Sequence, residues 1–522
     1  MEFEDILKHV GEYGLYQRRL VYLLFVPTTL VICLTSMNIF FLMSEPEHVC
    51  VTNGLNNKSF TYIKSLYLDP NQTKPKYRSC RYTEISPNGN ATLKKCNQWV
   101  FDDTDYDSNA IMYFNLVCSN SYWKSSILAL HGIAEVIGNL FFGLLSDKFG
   151  NHLIFFVALS LSLSSAVSPI FVKNIWVFSV CRFLTNFTCN ALYNIPYITI
   201  TEIIGPQHRT FVSVVGLSSW TLGMCLVSVV AYFSRDWVIL TAIPGGLVLP
   251  MFLYWKLLPE SPRYLISKGE YDEAKQVLDK IANVNGKEVP KNLMEQLRNL
   301  SLKQESQSKG SIVDLLKYSW IRKKFLILIF CWTSNVCAYR VLLLNFENLS
   351  GNEFINWFLL SVIEFPSNIV SGFLMESRLG RRWTNAFSMF LGGVALSLTL
   401  VFPEYVLAFS LTGKFLSNIS YNVSFQQTPE LFPTQLRNQA MAYTTAISAA
   451  TNFALPYLSS TGKEYVWLPL VSIGCMCLMS GVANSFLPET LRENLPHTLE
   501  DGNSFGRDAK YFSFAKNSKG SG

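Results

Sequence analysis

The chain repeats itself at long range, and the repeat is written in charges that stand where helices end. Gly143-Leu144-Leu145-Ser146-Asp147-Lys148-Phe149-Gly150 has a counterpart in Gly372-Phe373-Leu374-Met375-Glu376-Ser377-Arg378-Leu379-Gly380. Glu202 and Arg209 return as Glu430 and Arg437, and Leu258-Pro259-Glu260-Ser261 returns as Leu487-Pro488-Glu489-Thr490. The three landmarks keep their order at an offset of about 229 residues, which implies two homologous halves, each a parallel copy of one helical bundle.

Composition places those bundles in a membrane. The chain is 49% hydrophobic and 15% charged, against roughly 25% charged in soluble domains, which excludes a soluble enzyme. Apolar runs of about 20 residues, long enough to cross a hydrocarbon core, are expected near 20–43, 123–145, 153–172, 176–203, 211–233, 237–258, 325–346, 354–375, 384–402, 405–430, 440–459 and 466–486. The expected fold is therefore an all-α membrane protein of twelve transmembrane helices in two pseudo-symmetric six-helix bundles. The first run is too long for a signal peptide and lacks a small-residue cleavage site.

Short loops set the orientation. Lys148, Arg209, Arg378, Arg381, Arg382 and Arg437 fall in alternate short loops, so both termini are expected in the cytoplasm. The segment 44–122 then faces outside, with Cys50, Cys80, Cys96 and Cys118 and sequons at Asn57, Asn71 and Asn90, as an oxidising and glycosylating compartment allows. Four cysteines permit three pairings, and all stay open. The expected division is an N-terminal bundle over 1–258, a cytoplasmic linker with short amphipathic helices over 259–324, a C-terminal bundle over 325–487 and a tail over 488–522.

Several stretches carry a family resemblance. The run Gly143 to Gly150 resembles the loop signature of the major facilitator superfamily. Val10-Gly11-Glu12-Tyr13-Gly14-Leu15-Tyr16-Gln17, Pro46-Glu47-His48-Val49-Cys50, Trp99-Val100-Phe101-Asp102 and Leu116-Val117-Cys118 are similar to the organic ion transporters of solute carrier family 22. So are Pro259-Glu260-Ser261-Pro262-Arg263, Glu430-Leu431-Phe432-Pro433-Thr434, and Leu487 to Thr490 followed by Leu495-Pro496-His497-Thr498. The resemblance implies two six-helix halves that rock about a central cavity in the plasma membrane. Phosphate loops, His-Glu-x-x-His, paired Cys-x-x-Cys and ordered Ser/His/Asp signatures are absent, so neither enzyme activity nor a cofactor is expected. The expected partners are a small organic ion and the lipid bilayer, without nucleic acid or nucleotide, and homo-oligomerisation stays open.

The helix-end charges have a mechanical reading. Asp147, Glu202, Arg209, Glu260 and Arg263 in one half, and Glu376, Arg378, Arg381, Glu430, Arg437 and Glu489 in the other, are expected to bridge helices when the cytoplasmic side is shut and to part when it opens. A contact pair at ~4 Å and an effective dielectric near 20 is worth about 4 kcal/mol before desolvation, enough to bias a gate. The competing reading is capping and topology anchoring.

Selectivity turns on charges inside the runs, which cost roughly 2.5 to 3.5 kcal/mol each on insertion scales. Glu364 lies in Glu364-Phe365-Pro366, which is similar to a triplet at the cavity of organic cation transporters. Arg340, after Tyr339, stands where relatives carry an uncharged residue; it can hold a carboxylate bidentately or snorkel to the outer surface. Lys414 can pair with Glu364 or contact an anion, and Glu135 can couple to protons or face the cavity. Ala449 stands where the cation branch carries an aspartate and the anion and carnitine branches an arginine, so the usual discriminator is missing. Mixed cavity charge points to a zwitterionic or carboxylate-bearing solute. An organic cation transporter, or a non-transporting receptor or scaffold on the same fold, is the alternative. Tyr197, Trp220, Trp332, Tyr339 and Tyr443 are the aromatics expected at the solute, against belts and packing as the bland reading. Asn151 and His152, and Asn186 and Asn190, depart from the basic pair and the close-packing glycines usual in relatives.

Overall fold

In hydrocarbon every backbone N–H and C=O must find a partner within its own segment, so apolar runs of this length close on themselves as helices. The computed structural model describes residues 3–51, 59–67, 80–85, 91–290, 292–305, 312–433, 435–493, 496, 498–507 and 514. The three sequons lie outside the described residues.

Among the described residues, twelve helices make up the two bundles. They are α1 (Leu15–Leu42), α2 (Tyr122–Phe149), α3 (Asn151–Val167), α4 (Ile175–Glu202), α5 (Pro206–Ser234) and α6 (Trp237–Lys256), then α7 (Ser319–Leu344), α8 (Glu353–Glu376), α9 (Gly380–Leu398), α10 (Val406–Glu430), α11 (Arg437–Ala449, continued by Leu455–Ser460) and α12 (Trp467–Asn484). Eight are long and apolar enough to cross a membrane by length and composition. The other four, α4, α9, α10 and α11, bury polar side chains such as Arg182, Asn385, Lys414 and Gln427, or are interrupted. The interruption in α11 precedes Pro456, which lacks an N–H and crowds the preceding turn.

Helix direction defines two ends of the bundle. The loop end carries the 44–122 segment, in which β1 (His48–Cys50) pairs antiparallel with β4 (Trp99–Phe101), and β2 (Arg81–Ile85) with β3 (Ala91–Lys95). Disulfides join Cys50 to Cys96 and Cys80 to Cys118, which selects one of the three pairings. The terminal end carries the short helix Phe3–Val10, the linker helices Pro262–Lys268, Tyr271–Asn285, Leu293–Glu305 and Ile312–Lys317, and the tail helix Leu499–Ser504. Ala274, Leu278, Ile281 and Ala282 recur at helical spacing on the linker and are buried against the first half.

The apolar core differs between the ends. At the loop end one cluster runs through both halves, joining Phe40, Phe41 and Met224 to Phe346, Phe354 and Trp357. At the terminal end there are two clusters, one around Phe25, Phe155 and Leu278 in the first half and another around Phe325, Phe432 and Leu436 in the second.

Candidate functional site

Pro366 shapes the centre of α8. Without an N–H it cannot continue the ladder, and the helix breaks at Ile363 between the pieces Glu353–Val362 and Glu364–Glu376. Glu364 therefore opens the second piece, where the helix dipole favours an acid. Its Oε1 lies 2.9 Å from Lys414 Nζ on α10, with side chains 6% and 0% exposed. Thr221 on α5, in the other half, donates to Glu364 Oε2 at 3.0 Å. The Lys414 ammonium also sits 3.1 Å from the centroid of the Tyr339 ring, a cation–π contact.

A second acid–base pair joins the halves directly. Arg340 on α7 donates through a terminal guanidinium nitrogen to Glu135, which stands at the midpoint of α2. The snorkelling reading of Arg340 is corrected by helix direction. Side chains lean toward a helix's N-terminus, and α7 starts at the terminal end, so Arg340 is aimed at mid-depth although only one turn from the end of its helix. The two partners keep 15% and 23% exposure, unlike the sealed Lys414.

The other expected contacts divide. Tyr197 donates or accepts a hydrogen bond with Ser213 at 2.8 Å and stacks with Tyr193, and Trp220 meets Tyr193 edge-on. Tyr443 is half-buried against the core of the second half. Trp332 is 1% exposed, its indole N–H donating to Thr428 at 2.8 Å, so this state offers a solute no face of it. Asn186 donates to the His131 carbonyl at 2.7 Å and accepts from Ser36 at 2.7 Å, tying α4 to α2 and α1.

The repeated helix-end charges fall into two sets with several parallel contacts. Glu260 accepts from the backbone N–H groups of Asn151 and His152 at 2.9 and 3.0 Å, and Glu489 does the same for Arg381 and Arg382 at 2.9 and 3.1 Å. Ser261 donates to Glu202 as Thr490 donates to Glu430. Arg209 Nε donates to the Thr201 carbonyl and Arg437 Nε to the Phe432 carbonyl, both at 3.1 Å. Arg381 pairs with Glu430 at 2.8 Å and reaches Glu376 at 3.8 Å. Asn151 occupies the matching place in the first half, and there Glu4 from the N-terminal helix pairs with Arg209 at 3.2 Å and Arg263 at 2.7 Å. Partial burial works against ionisation of Glu4, but its backbone hydrogen bond and the two guanidinium groups win and hold its carboxyl below 4.5. Asp147 and Arg378 are exposed and have no ion-pair partner among the described residues. In this state the charges expected to bridge helices do so inside each half.

Sequence reasoning missed two features. Arg182 is buried in α4, donating to Asn38 at 3.1 Å and Thr241 at 3.4 Å, without a carboxylate partner among the described residues; its place inside the fourth apolar run was the available signal. At the loop end Lys124 pairs with Glu347, and Lys463 with Glu45, both across the halves. Ser44 donates to Glu353 at 2.5 Å, and the Glu45 N–H to Glu347 at 3.2 Å. Burial pushes the Glu45 carboxyl up, yet Lys124 and Lys463 hold it below 4.5.

Two bundles, a break at mid-depth and a seam of paired charges are the anatomy of a carrier, and the sugar (and other) transporter family matches residues 72–500. The chain belongs to solute carrier family 22 of the major facilitator superfamily. It is 30% identical to the organic cation transporter protein of Drosophila melanogaster, covering 97% of this chain and 95% of that one. It is 29% identical to the beta-alanine transporter of the same fly (96% and 89% covered) and to the organic cation/carnitine transporter 2 of Homo sapiens (96% and 93%). Among solved structures, the inward-open xylose transporter XylE from E. coli superposes with a TM-score of 0.59 at 14% identity, covering 93% of this chain and 99% of that one. The family is one of membrane-embedded secondary transporters of small organic ions, and the chain is not an enzyme.

Proposed function

We propose that the chain carries small zwitterionic solutes across the plasma membrane by alternating access, with both termini in the cytoplasm. The observation that supports this most is the mixed charge at mid-depth: Glu364 beside Lys414, and Glu135 beside Arg340. Two acids and two bases balance, so a solute of zero net charge leaves the centre neutral, and its ammonium and carboxylate each find an opposite sign. Beta-alanine and carnitine, named for two relatives, have that chemistry. Glu364 receives the ammonium, Arg340 the carboxylate, and Tyr339, Trp220, Tyr197 and Tyr443 supply ring faces. The helix-end charges act as the cytoplasmic gate by exchanging partners when that side shuts.

An organic cation is the second reading. Lys414 already seats an ammonium between Glu364 and the Tyr339 ring, so the same pocket fits a substrate cation when Lys414 swings away. Saturable uptake of one zwitterion, one cation and one anion by cells expressing the chain separates the two. The zwitterion should have the lowest KM, and Arg340→Ala should raise that KM while sparing the cation. Arg340→Ala and Glu364→Gln both leaving zwitterion uptake unchanged would sink the site.

A further inference from the structure

The repeat that aligns Gly143 with Gly372 also aligns Glu135 with Glu364, and the one that aligns Glu202 with Glu430 aligns Asn186 with Lys414. The two mid-depth acids are thus counterparts, but only one has a base in its own half. Glu364 is sealed beside Lys414, whereas Asn186 spends its amide on the His131 carbonyl and Ser36. Glu135 is left to take its cation from the other half.

That cation is under-used. Of the donors on the Arg340 guanidinium, one hydrogen-bonds Glu135, and among the described residues the others make no side-chain hydrogen bond. The pair is 15% and 23% exposed, not sealed as Lys414 is, and spans the seam across which the halves must move. Every feature of a carboxylate site is present, with a carboxylate of the chain already in it.

We infer that Glu135 is the internal counter-ion of Arg340, displaced by the substrate carboxylate on loading and restored when the carrier returns empty. This inference rests on the zwitterion reading above. Its consequence is kinetic. An unpaired guanidinium is costly to enclose between two closing halves, so the empty carrier turns over readily only because Glu135 covers Arg340. The loaded carrier has the solute carboxylate in the same place. Both net uptake and exchange are therefore open to the wild-type chain.

Glu135→Gln separates these roles. In reconstituted vesicles carrying the full chain, beta-alanine and carnitine are compared with their amides, which keep the ammonium and lack the carboxylate, in net uptake and in exchange. The expected result is a KM for the two acids lower by about tenfold, in the usual range of coupling between sites, an exchange-to-net-uptake ratio raised by a similar factor, and no change in KM for the amides. Equal effects on acids and amides, or an unchanged exchange ratio, would overturn the counter-ion role and leave the zwitterion reading standing. Wild type carrying none of the four, or the amides alone, would overturn both. The swap Glu135→Arg with Arg340→Glu keeps the pair if the single variant fails to fold; it should hold net uptake of the amides at the wild-type level, and loss of that uptake in the swap counts against the inference.

Discussion

At the loop end the two halves share one apolar core and exchange ion pairs; at the terminal end each half has its own core and pairs its charges internally. The same residue types thus do two jobs. Glu260 and Glu489 each satisfy two backbone N–H groups at the start of α3 and α9, so in this state those repeated carboxylates tie helices within their own half. The charges that join the halves at the loop end, Lys124, Glu347, Glu45 and Lys463, lie outside the repeated landmarks.

The sharpest way to break this contrast is at the shared core. Trp357 is fully buried, packs on Phe40 and Phe41 of the other half and donates to the Met224 carbonyl at 2.9 Å. Trp357→Ala should cost about 3 to 5 kcal/mol in thermal unfolding and open the loop end to aqueous labels. Next, Lys124→Ala removes one member of a pair only 10% and 13% exposed, and should cost about 2 kcal/mol while shifting the carrier toward loop-end opening. Labelling at that end that stays at the wild-type level would show that the pair is no latch.

The terminal end should respond symmetrically and without opening. Gly150 and Gly380 have φ of +90° and +64°, and a Cβ on either would strike the capping carboxylate, Glu260 or Glu489. Gly150→Ala and Gly380→Ala should each cost about 1 to 2 kcal/mol, by similar amounts; a large inequality would deny the equivalence of the two copies. The smallest effect is one of pH. The Glu4 and Glu45 carboxyls are held below their ordinary value in the folded chain, so their stabilisation is present above the unfolded value and is lost as pH falls through the folded one. Glu4→Gln and Glu45→Gln should each cost under about 1 kcal/mol near neutrality, and the deficit should vanish under acid conditions in thermal unfolding.

Much of this was legible in the chain. Apolar runs place the twelve helices, though only eight stand out on length and hydropathy alone, and Pro366 marks the break in α8 because proline acts locally. The cross-half pairs were not legible. Lys124 and Glu347 are far apart in sequence, and their meeting depends on how two independently folded bundles dock, which no local pattern encodes. The disulfide pairing was hidden because four cysteines on one segment permit three pairings, and only the fold of that segment selects Cys50–Cys96 and Cys80–Cys118. Arg340 was ambiguous until the direction of α7 was known, and Asn186 looked like a lost glycine rather than the reason Glu135 lacks a base of its own.

The central claim is that the two ends open in opposition. Gly143 and Gly372 hold matching positions on α2 and α8 at the terminal end, with open space where a side chain would go. Spin labels on cysteines placed there, with Cys475→Ser, and a second labelled pair at Ser126 and Tyr457 of the loop end, report both distances in the full chain. Adding Lys124→Ala should lengthen the loop-end distance and shorten the terminal-end distance together. Both distances lengthening, or one changing while the other stays fixed, would contradict the account.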